Sequence, residues 1–384
     1  MKIKKSESSS INIFKFVLIF ASMVYIGVRI GTVVISNPGY YFSPYYTEVV
    51  YKNLEDTFNR SQYRQKNPTA LIPDETVFSY AAGAYLRGTD PILINSEHTP
   101  LGKYFISLFI ILLKNDRFIV IPFSILTLVS LWFLGLHILH DKLLALVPVV
   151  LFSSERLFLD QIRYAPLLDI IQLPFILFAL AFFVREYSSK KFVVTSLMIG
   201  MVMATKTVIP AILLTACFLS VLFIRKDWER IRYFILWLPF SLLILLASYI
   251  RTFLSGYTLF DFIGFQKWIL LYQKSKLIFP FSVWRLIFLN QWQAWWGDMR
   301  ILKADDWSIM WPIVTLLTIF SLLFVNKQVK LSREYHVTIA WVIIYSAFLS
   351  IGVVSSRFFL PYLPVLYIVS TLSVKSVLIR WWRA

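Results

Sequence analysis

The chain is a succession of apolar runs parted by short polar breaks, with one wide polar island between residues 36 and 117. The first run, about Ile11–Ile35, follows Lys2, Lys4 and Lys5. It is nearer the roughly 20 residues of a membrane span than the ~7–15 of a signal-peptide core, so it predicts a retained span. Further spans are predicted at about Phe118–Leu139, Leu143–Glu155, Leu167–Val184, Phe192–Ala204 and Val208–Ile224. Four more follow at Phe234–Leu254, Ile309–Val325, Val337–Val354 and Phe359–Val377. Two apolar stretches of the island differ from these. Phe78–Leu86 predicts a short helix lying on the membrane surface. Leu101–Leu113 rises only about 20 Å as a helix, short of the ~30 Å of hydrocarbon.

The basic residues decide how Leu101–Leu113 is read. If it spanned, the groups Arg185/Lys190/Lys191, Arg225/Lys226/Arg230/Arg232 and Lys327/Lys330/Arg333 would all lie outside. That opposes the positive-inside bias. Taken as a non-spanning interfacial helix, it leaves those groups inside together with Lys142, Lys375, Arg380 and Arg383. The expected fold is therefore an all-α polytopic membrane protein of about ten transmembrane helices, both termini cytoplasmic. Residues 36–117 form a first outer loop with interfacial helices, and 255–308 a second one rich in Trp, Phe and Gln. No internal repeat or linker divides the chain, so 1–384 is read as a single domain.

Composition agrees. Of 384 residues 58% are hydrophobic and 15% charged, and the mean hydropathy is +0.69. A soluble domain of this size could not bury so much apolar surface. The net charge of +17 belongs to cytoplasmic loops rather than to a nucleic-acid surface. The single cysteine, Cys217, excludes disulfides within the chain and a cysteine-based metal site. The Lys/Ile-rich composition and the lack of a long hydrophilic domain point to a prokaryotic plasma membrane. In an endoplasmic reticulum protein the outer face would be the lumen.

This topology places Asp74, Glu75, Glu97, His98, Lys103, Arg163, Asp169, Lys206 and Arg357 at the outer face. Ionisable groups at membrane depth are costly and usually face a cavity or a partner, so the set suggests a charged outer cavity. Each residue has a plainer reading. Asp74-Glu75 suit the first turn of a helix, through the dipole and capping. Lys206 can snorkel, and Arg163 and Arg357 can anchor at the interface. Glu97-His98 has the chemistry of a metal pair, though one histidine is little to build on. As a set, the cations suit a phosphate. Trp292, Trp295 and Trp296 read as an interfacial belt rather than a sugar platform. Asp305 and Asp306 carry no clear signal.

Several short motifs resemble one family. Asp74-Glu75, Tyr80-Ala81-Ala82 and Leu86-Arg87-Gly88-Thr89-Asp90 resemble the first outer loop of the polyprenyl-phosphate-sugar-dependent GT-C glycosyltransferases. These include the protein O-mannosyltransferases and the lipid A aminoarabinose transferases. His98-Thr99-Pro100-Leu101-Gly102-Lys103 is similar to the His-Pro-Pro-Leu-Gly-Lys signature of the O-mannosyltransferase branch. Arg163 to Asp169 resembles that family's arginine-to-Leu-Asp element, with one extra residue. Ala204-Thr205-Lys206 matches an Ala-Thr-Lys step, and Arg357-Phe358-Phe359-Leu360-Pro361 an Arg-x-x-Leu-Pro. The resemblance covers about Pro73 to Lys206 and the C-terminal motif. Thr99 departs from it, as does Phe279-Pro280-Phe281 in place of a His-Pro-Tyr-like element.

The resemblance implies a GT-C-like bundle that passes a sugar from a polyprenyl-phosphate donor to a protein or lipid acceptor at the outer face, with inversion. Asp74 would be the base. Glu75 would position the acceptor or, with His98, hold a divalent cation. Arg163, Lys206 and Arg357 would meet the donor phosphate, with Lys103 as a further candidate. Glu97 and His98 would serve acceptor or metal, and Asp169 would support. Phosphate leaves well, so no paired general acid is required. Membrane lipids are the other expected partner, nucleic acid is not. Two rival classes are a secondary transporter, which calls for mid-bilayer polar residues on broken helices, and a non-catalytic lipid-binding membrane subunit.

Overall fold

The computed structural model describes residues 3–187, 191–274, 278–294, 299–324, 329 and 332–383. Lys2, Lys190, Lys327, Lys330, Trp295 and Trp296 of the expectations above lie outside these, as do the side chains of Lys4, Lys5, Arg380 and Arg383. The chain is an all-α polytopic membrane protein whose described strands are one two-residue hairpin.

Helix α1 (Ile3–Ile35) leads into α2 (Pro38–Phe42), α3 (Glu48–Asn59), α4 (Asp74–Leu86) and α5 (Leu101–Leu113). Then come α6 (Val120–Leu139), α7 (Leu146–Ser154), α8 (Arg156–Arg163), α9 (Leu168–Glu186), α10 (Val193–Thr205) and α11 (Ile209–Ile224). Helices α12 (Trp228–Trp237) and α13 (Pro239–Ser248) form one run across Leu238, followed by α14 (Ile250–Leu254). The second long polar segment folds into α15 (Leu259–Lys274), α16 (Ser282–Leu289) and the antiparallel strands β1 (Trp292–Gln293) and β2 (Ile301–Leu302). Helices α17 (Met310–Phe324), α18 (Arg333–Ile351) and α19 (Leu363–Arg383) close the chain.

Five described helices are long and apolar enough to cross a membrane: Ile13–Ile35 of α1, α6, α9, the run Trp228–Ser248, and α18. Helices α5, α10 and α11, with Met310–Leu323 and Leu363–Ile379, are apolar but shorter. Helix α9 is buried nearly all round and packs on α6 and α10, the pattern of a helix at a bundle centre. Helix α1 is the opposite case. Its Phe14, Phe16, Phe20 and Met23 point outward, as suits a surface solvated by lipid. The buried apolar residues form one continuous cluster from Val33 to Leu372, with a small satellite around Tyr249 and Phe262.

The structure corrects the sequence reading at three elements. The span expected over Leu143–Glu155 contains only the nine-residue α7, about 14 Å of helix. It ends at Glu155 because that buried carboxylate is held by the Trp311 indole N–H at 3.2 Å and by the Tyr367 hydroxyl. A buried carboxylate must find such donors, and the chain turns into α8 to reach them. The helix expected over Phe78–Leu86 starts at Asp74 and does not lie on a surface: Val77 to Tyr85 are all buried. Helix α3 and the Tyr45-Tyr46 segment cover it, so closely at Gly83 that an added Cβ would collide with the Tyr46 hydroxyl. The span expected at Phe234–Leu254 begins earlier, at Trp228, where Asp227 accepts a hydrogen bond from the Arg230 N–H (3.3 Å) and caps the helix. The segment read as a second outer loop, 255–308, contains α15, α16 and the β1–β2 hairpin.

Candidate active site

Asp74 is the first residue of α4, after Pro73 at the N-cap, so it and Glu75 do begin a helix. They also do more. One Asp74 oxygen accepts a hydrogen bond from Arg357 Nη1 at 2.5 Å, the other from the Tyr63 hydroxyl at 3.1 Å. Arg357 stands 283 positions away, in the short 3-10 turn before α19. Burial pushes the Asp74 carboxyl up, but Arg357, His98 and Lys206 outweigh it and hold the group at about 2. Glu75 goes the other way: burial raises it, and the neighbouring Asp74 adds to the rise.

A second ion pair lies beside the first. Lys206 Nζ is 2.5 Å from an Asp169 oxygen, and both side chains are less than a tenth exposed. Asp169 sits in the first turn of α9, and Lys206 follows the last residue of α10 in a non-helical conformation. The loop before α5 fixes that conformation. The Thr99 N–H donates to the Lys206 carbonyl at 2.9 Å, and the Thr99 hydroxyl to the Met203 carbonyl at 2.9 Å. A proline at 99 would supply neither donor, so the departure from the family signature has a local use. Three residues on, Gly102 lets α5 close onto the end of α10: a Cβ there would lie 2.5 Å from the Thr205 carbonyl oxygen. On the other side, the Gln172 amide donates to the Val202 carbonyl at 2.8 Å.

His98 completes the cluster. Its ring lies against Phe78 with centroids 5.5 Å apart, and its Nδ1 is out of solvent with no hydrogen-bond partner. Burial, then Lys206, push its imidazole well below 6.5, with Lys103 and Arg357 adding to the fall against Asp74. The second Asp169 oxygen is likewise buried and unpartnered. Unmet buried polar atoms of this kind are costly and ask for an explanation.

The remaining candidates are placed differently. Lys103 is fully buried, and its ammonium donates to the Asn95 carbonyl (2.7 Å), the Asn95 side-chain oxygen (3.2 Å) and the His98 carbonyl (2.9 Å). Those are the three donors an ammonium has, so the geometry moves Lys103 from phosphate contact to loop anchor. Glu97 accepts from the Asn95 amide at 2.8 Å and lies close enough to Tyr63 and Tyr272 to act on both hydroxyls. Arg163 is not among the leading influences on Asp74, His98 or Lys206. It pairs with Asp160, which Arg156 also approaches at 3.5 Å. Glu75 and His98 do not fit a cation either: His98 feels three positive side chains, and no three His, Cys, Asp or Glu side chains converge among the described residues.

The sequence reading missed Tyr63, Arg156, Asp160 and Tyr272. Arg156 and Asp160 are polar residues between two apolar runs, a signal that was present and unweighed. The tyrosines carry none, because nothing in the local pattern separates them from the chain's other tyrosines. Asp306, unassigned from sequence, lies close enough to Ser356, next to Arg357, for that side chain to lower its carboxyl against the rise from burial.

Fold and site together define an all-α polytopic membrane protein with two adjacent ion pairs where α4, α9, α10 and the turn before α19 meet. No family model and no curated protein matches the chain. Among solved structures it is similar to ArnT from Cupriavidus metallidurans in the apo state, with TM-score 0.58 and 14% identity over 81% of this chain and 56% of ArnT. It is similar also to ArnT of that organism bound to undecaprenyl phosphate, with TM-score 0.59 and 14% identity over 85% and 58% of the two chains. The chain thus spans a little over half the length of ArnT. At this identity the likeness is one of fold.

Proposed function

We propose that the chain is a membrane glycosyltransferase that moves a sugar from a polyprenyl-phosphate donor to a hydroxyl or amine of a protein or lipid acceptor at the outer face, with inversion. The observation that carries this reading is the pair of ion pairs, Asp74–Arg357 and Asp169–Lys206, meeting beside His98. The fold shared with ArnT, one of whose structures holds undecaprenyl phosphate, supports the lipid-linked donor.

In this reading Lys206 and Arg357 bind the donor phosphate. Arg163 and Arg156 form a more exposed cationic rim around Asp160, available to incoming phosphate or acceptor. Asp74 takes the proton from the acceptor O–H or N–H. The freed electron pair forms the new bond to the anomeric carbon, the bond from that carbon to the phosphate oxygen breaks, and its electrons leave on the phosphate. Lys206 and Arg357 stabilise that growing charge. A carboxylate held at about 2 is a weak base. Donor binding relieves this, because a phosphate that draws Arg357 off Asp74 removes the cation that depresses it. Glu75 positions the acceptor, Glu97 and His98 flank it, Asp169 orients Lys206, and Lys103 holds the loop.

The test is sugar transfer by the purified protein with a panel of radiolabelled polyprenyl-phosphate sugars, beside Asp74→Asn. One donor should turn over, and the variant should lose about 10²–10⁴-fold, the usual worth of a general base. Transfer at the wild-type rate by the variant would remove Asp74 from the role. A panel left wholly intact by the wild type would remove the enzyme reading.

A further inference from the structure

At the far end of α9 and α11 lies a second charged cluster that the transfer chemistry does not use. Tyr187, which caps the C-terminus of α9, is buried, and three guanidinium groups surround its ring. Arg230 of α12 stands 4.4 Å from the ring centroid, Arg333 of α18 5.4 Å and Arg225 after α11 6.0 Å. Four helix ends therefore bring their charges to one place. Asp227 partners Arg230 and also accepts from the Tyr187 hydroxyl at 2.9 Å. Glu334 partners Arg333 at 2.7 Å, and Arg225 Nη1 lies 3.2 Å from His336 Nδ1. Glu186 instead caps α10, through the Val194 and Thr195 N–H groups.

The charges do not balance. The segments 185–187, 191, 225–232 and 333–336 hold Arg185, Lys191, Arg225, Lys226, Arg230, Arg232 and Arg333 against Glu186, Asp227, Glu229 and Glu334. Like charges are gathered here rather than dispersed, and such a site gains from an added anion. Beside it, on the lipid-facing side of the bundle, Phe223, Ile224 and Trp228 are each more than 60% exposed. The Phe223 and Trp228 rings meet edge to face at 5.5 Å. A cluster of guanidinium groups between helix ends, bordered by outward aromatic and aliphatic side chains, matches both halves of a phospholipid: phosphate on the arginines, acyl chain along α11. A free phosphate would use only the first half.

We propose that Arg225, Arg230 and Arg333 around Tyr187 form a binding site for the headgroup of an anionic phospholipid, with Phe223, Ile224 and Trp228 receiving its acyl chain. The site is remote from Asp74. Helix α9 carries Asp169 at one end and Tyr187 at the other, 18 positions on, a separation of about 27 Å at 1.5 Å per residue.

Native mass spectrometry of the full chain in detergent tests this, with phosphatidylglycerol and phosphatidylcholine offered at equal concentration and inorganic phosphate as a chain-free competitor. The wild type should retain phosphatidylglycerol at least fivefold over phosphatidylcholine, and inorganic phosphate at the same concentration should not displace it. Arg225→Gln/Arg333→Gln should abolish the preference while sugar transfer persists. Arg225→Glu, a change at an exposed position, guards against misfolding of the double variant and should reduce retention on its own. Equal retention of the two lipids by the wild type, or a preference intact in both variants, overturns the proposal. Displacement by inorganic phosphate reduces it to a site for the free ion.

Discussion

Asp169 and Lys206 are a nearly dry ion pair, and the expected effect of breaking it follows from that dryness. Lys206→Met strands a carboxylate that is 9% exposed and already has one unpartnered oxygen, at a cost of about 3–5 kcal/mol. Lys206→Met/Asp169→Leu removes both charges and should recover most of that stability with no recovery of transfer. Thermal unfolding in one detergent checks it; a double variant no more stable than the single one would show that the stranded Asp169 carboxylate is not the source of the loss. The titrating groups give a second expectation. Asp74 has a folded value of about 2 against the usual 3.8, so its contribution is complete above 3.8 and lost as pH falls towards 2. His98 lies well below 6.5 when folded, so the unfolded chain takes up that proton first, and stability declines as pH drops below 6.5. Melting temperatures at pH 7, 5 and 3 should show both declines, the upper one flattened in His98→Gln and the lower one in Asp74→Asn.

At the scale of elements, the site depends on how the loop before α5 meets the end of α10. Thr99→Val keeps the N–H that holds the Lys206 carbonyl, whereas Thr99→Pro loses the N–H and the hydroxyl together. The proline variant, although nearer the family signature, should be the more damaged. Each lost hydrogen bond is worth about 1 kcal/mol, and a stranded buried carbonyl costs about 1–3. Gly102→Ala presses a methyl against the Thr205 carbonyl oxygen and the Leu168 side chain, an overpacking of ~1–3 kcal/mol. Both changes should raise KM for the donor, because both shift Lys206. Unchanged donor KM in Thr99→Pro and Gly102→Ala would show that Lys206 does not read the phosphate.

For the whole molecule the expectation concerns sidedness. Cys217, the only cysteine, is fully buried and leaves a clean background for labelling. Lys52→Cys, on exposed α3, should react with a membrane-impermeant maleimide in intact cells, and Lys226→Cys, in the exposed turn after α11, only after permeabilisation. The reverse pattern would invert the topology and put the site on the cytoplasmic side.

Composition and the apolar runs determined that this is an all-helical membrane protein, because hydrocarbon leaves a spanning chain few alternatives to the helix. Short motifs were equally legible: Asp74-Glu75, His98, Asp169, Lys206 and Arg357 were all singled out from the sequence, and the fold brings them to one site. What the chain could not show along its length was who pairs with whom. That Arg357 reaches Asp74 across 283 positions, that Lys103 turns inward to loop carbonyls, and that Arg163 joins Asp160 are outcomes of packing. So are the break at Glu155 and the burial of α4. A charged side chain's local sequence fixes that it needs a partner, while only the tertiary arrangement supplies one, because burial and hydrogen-bond geometry are properties of the neighbours.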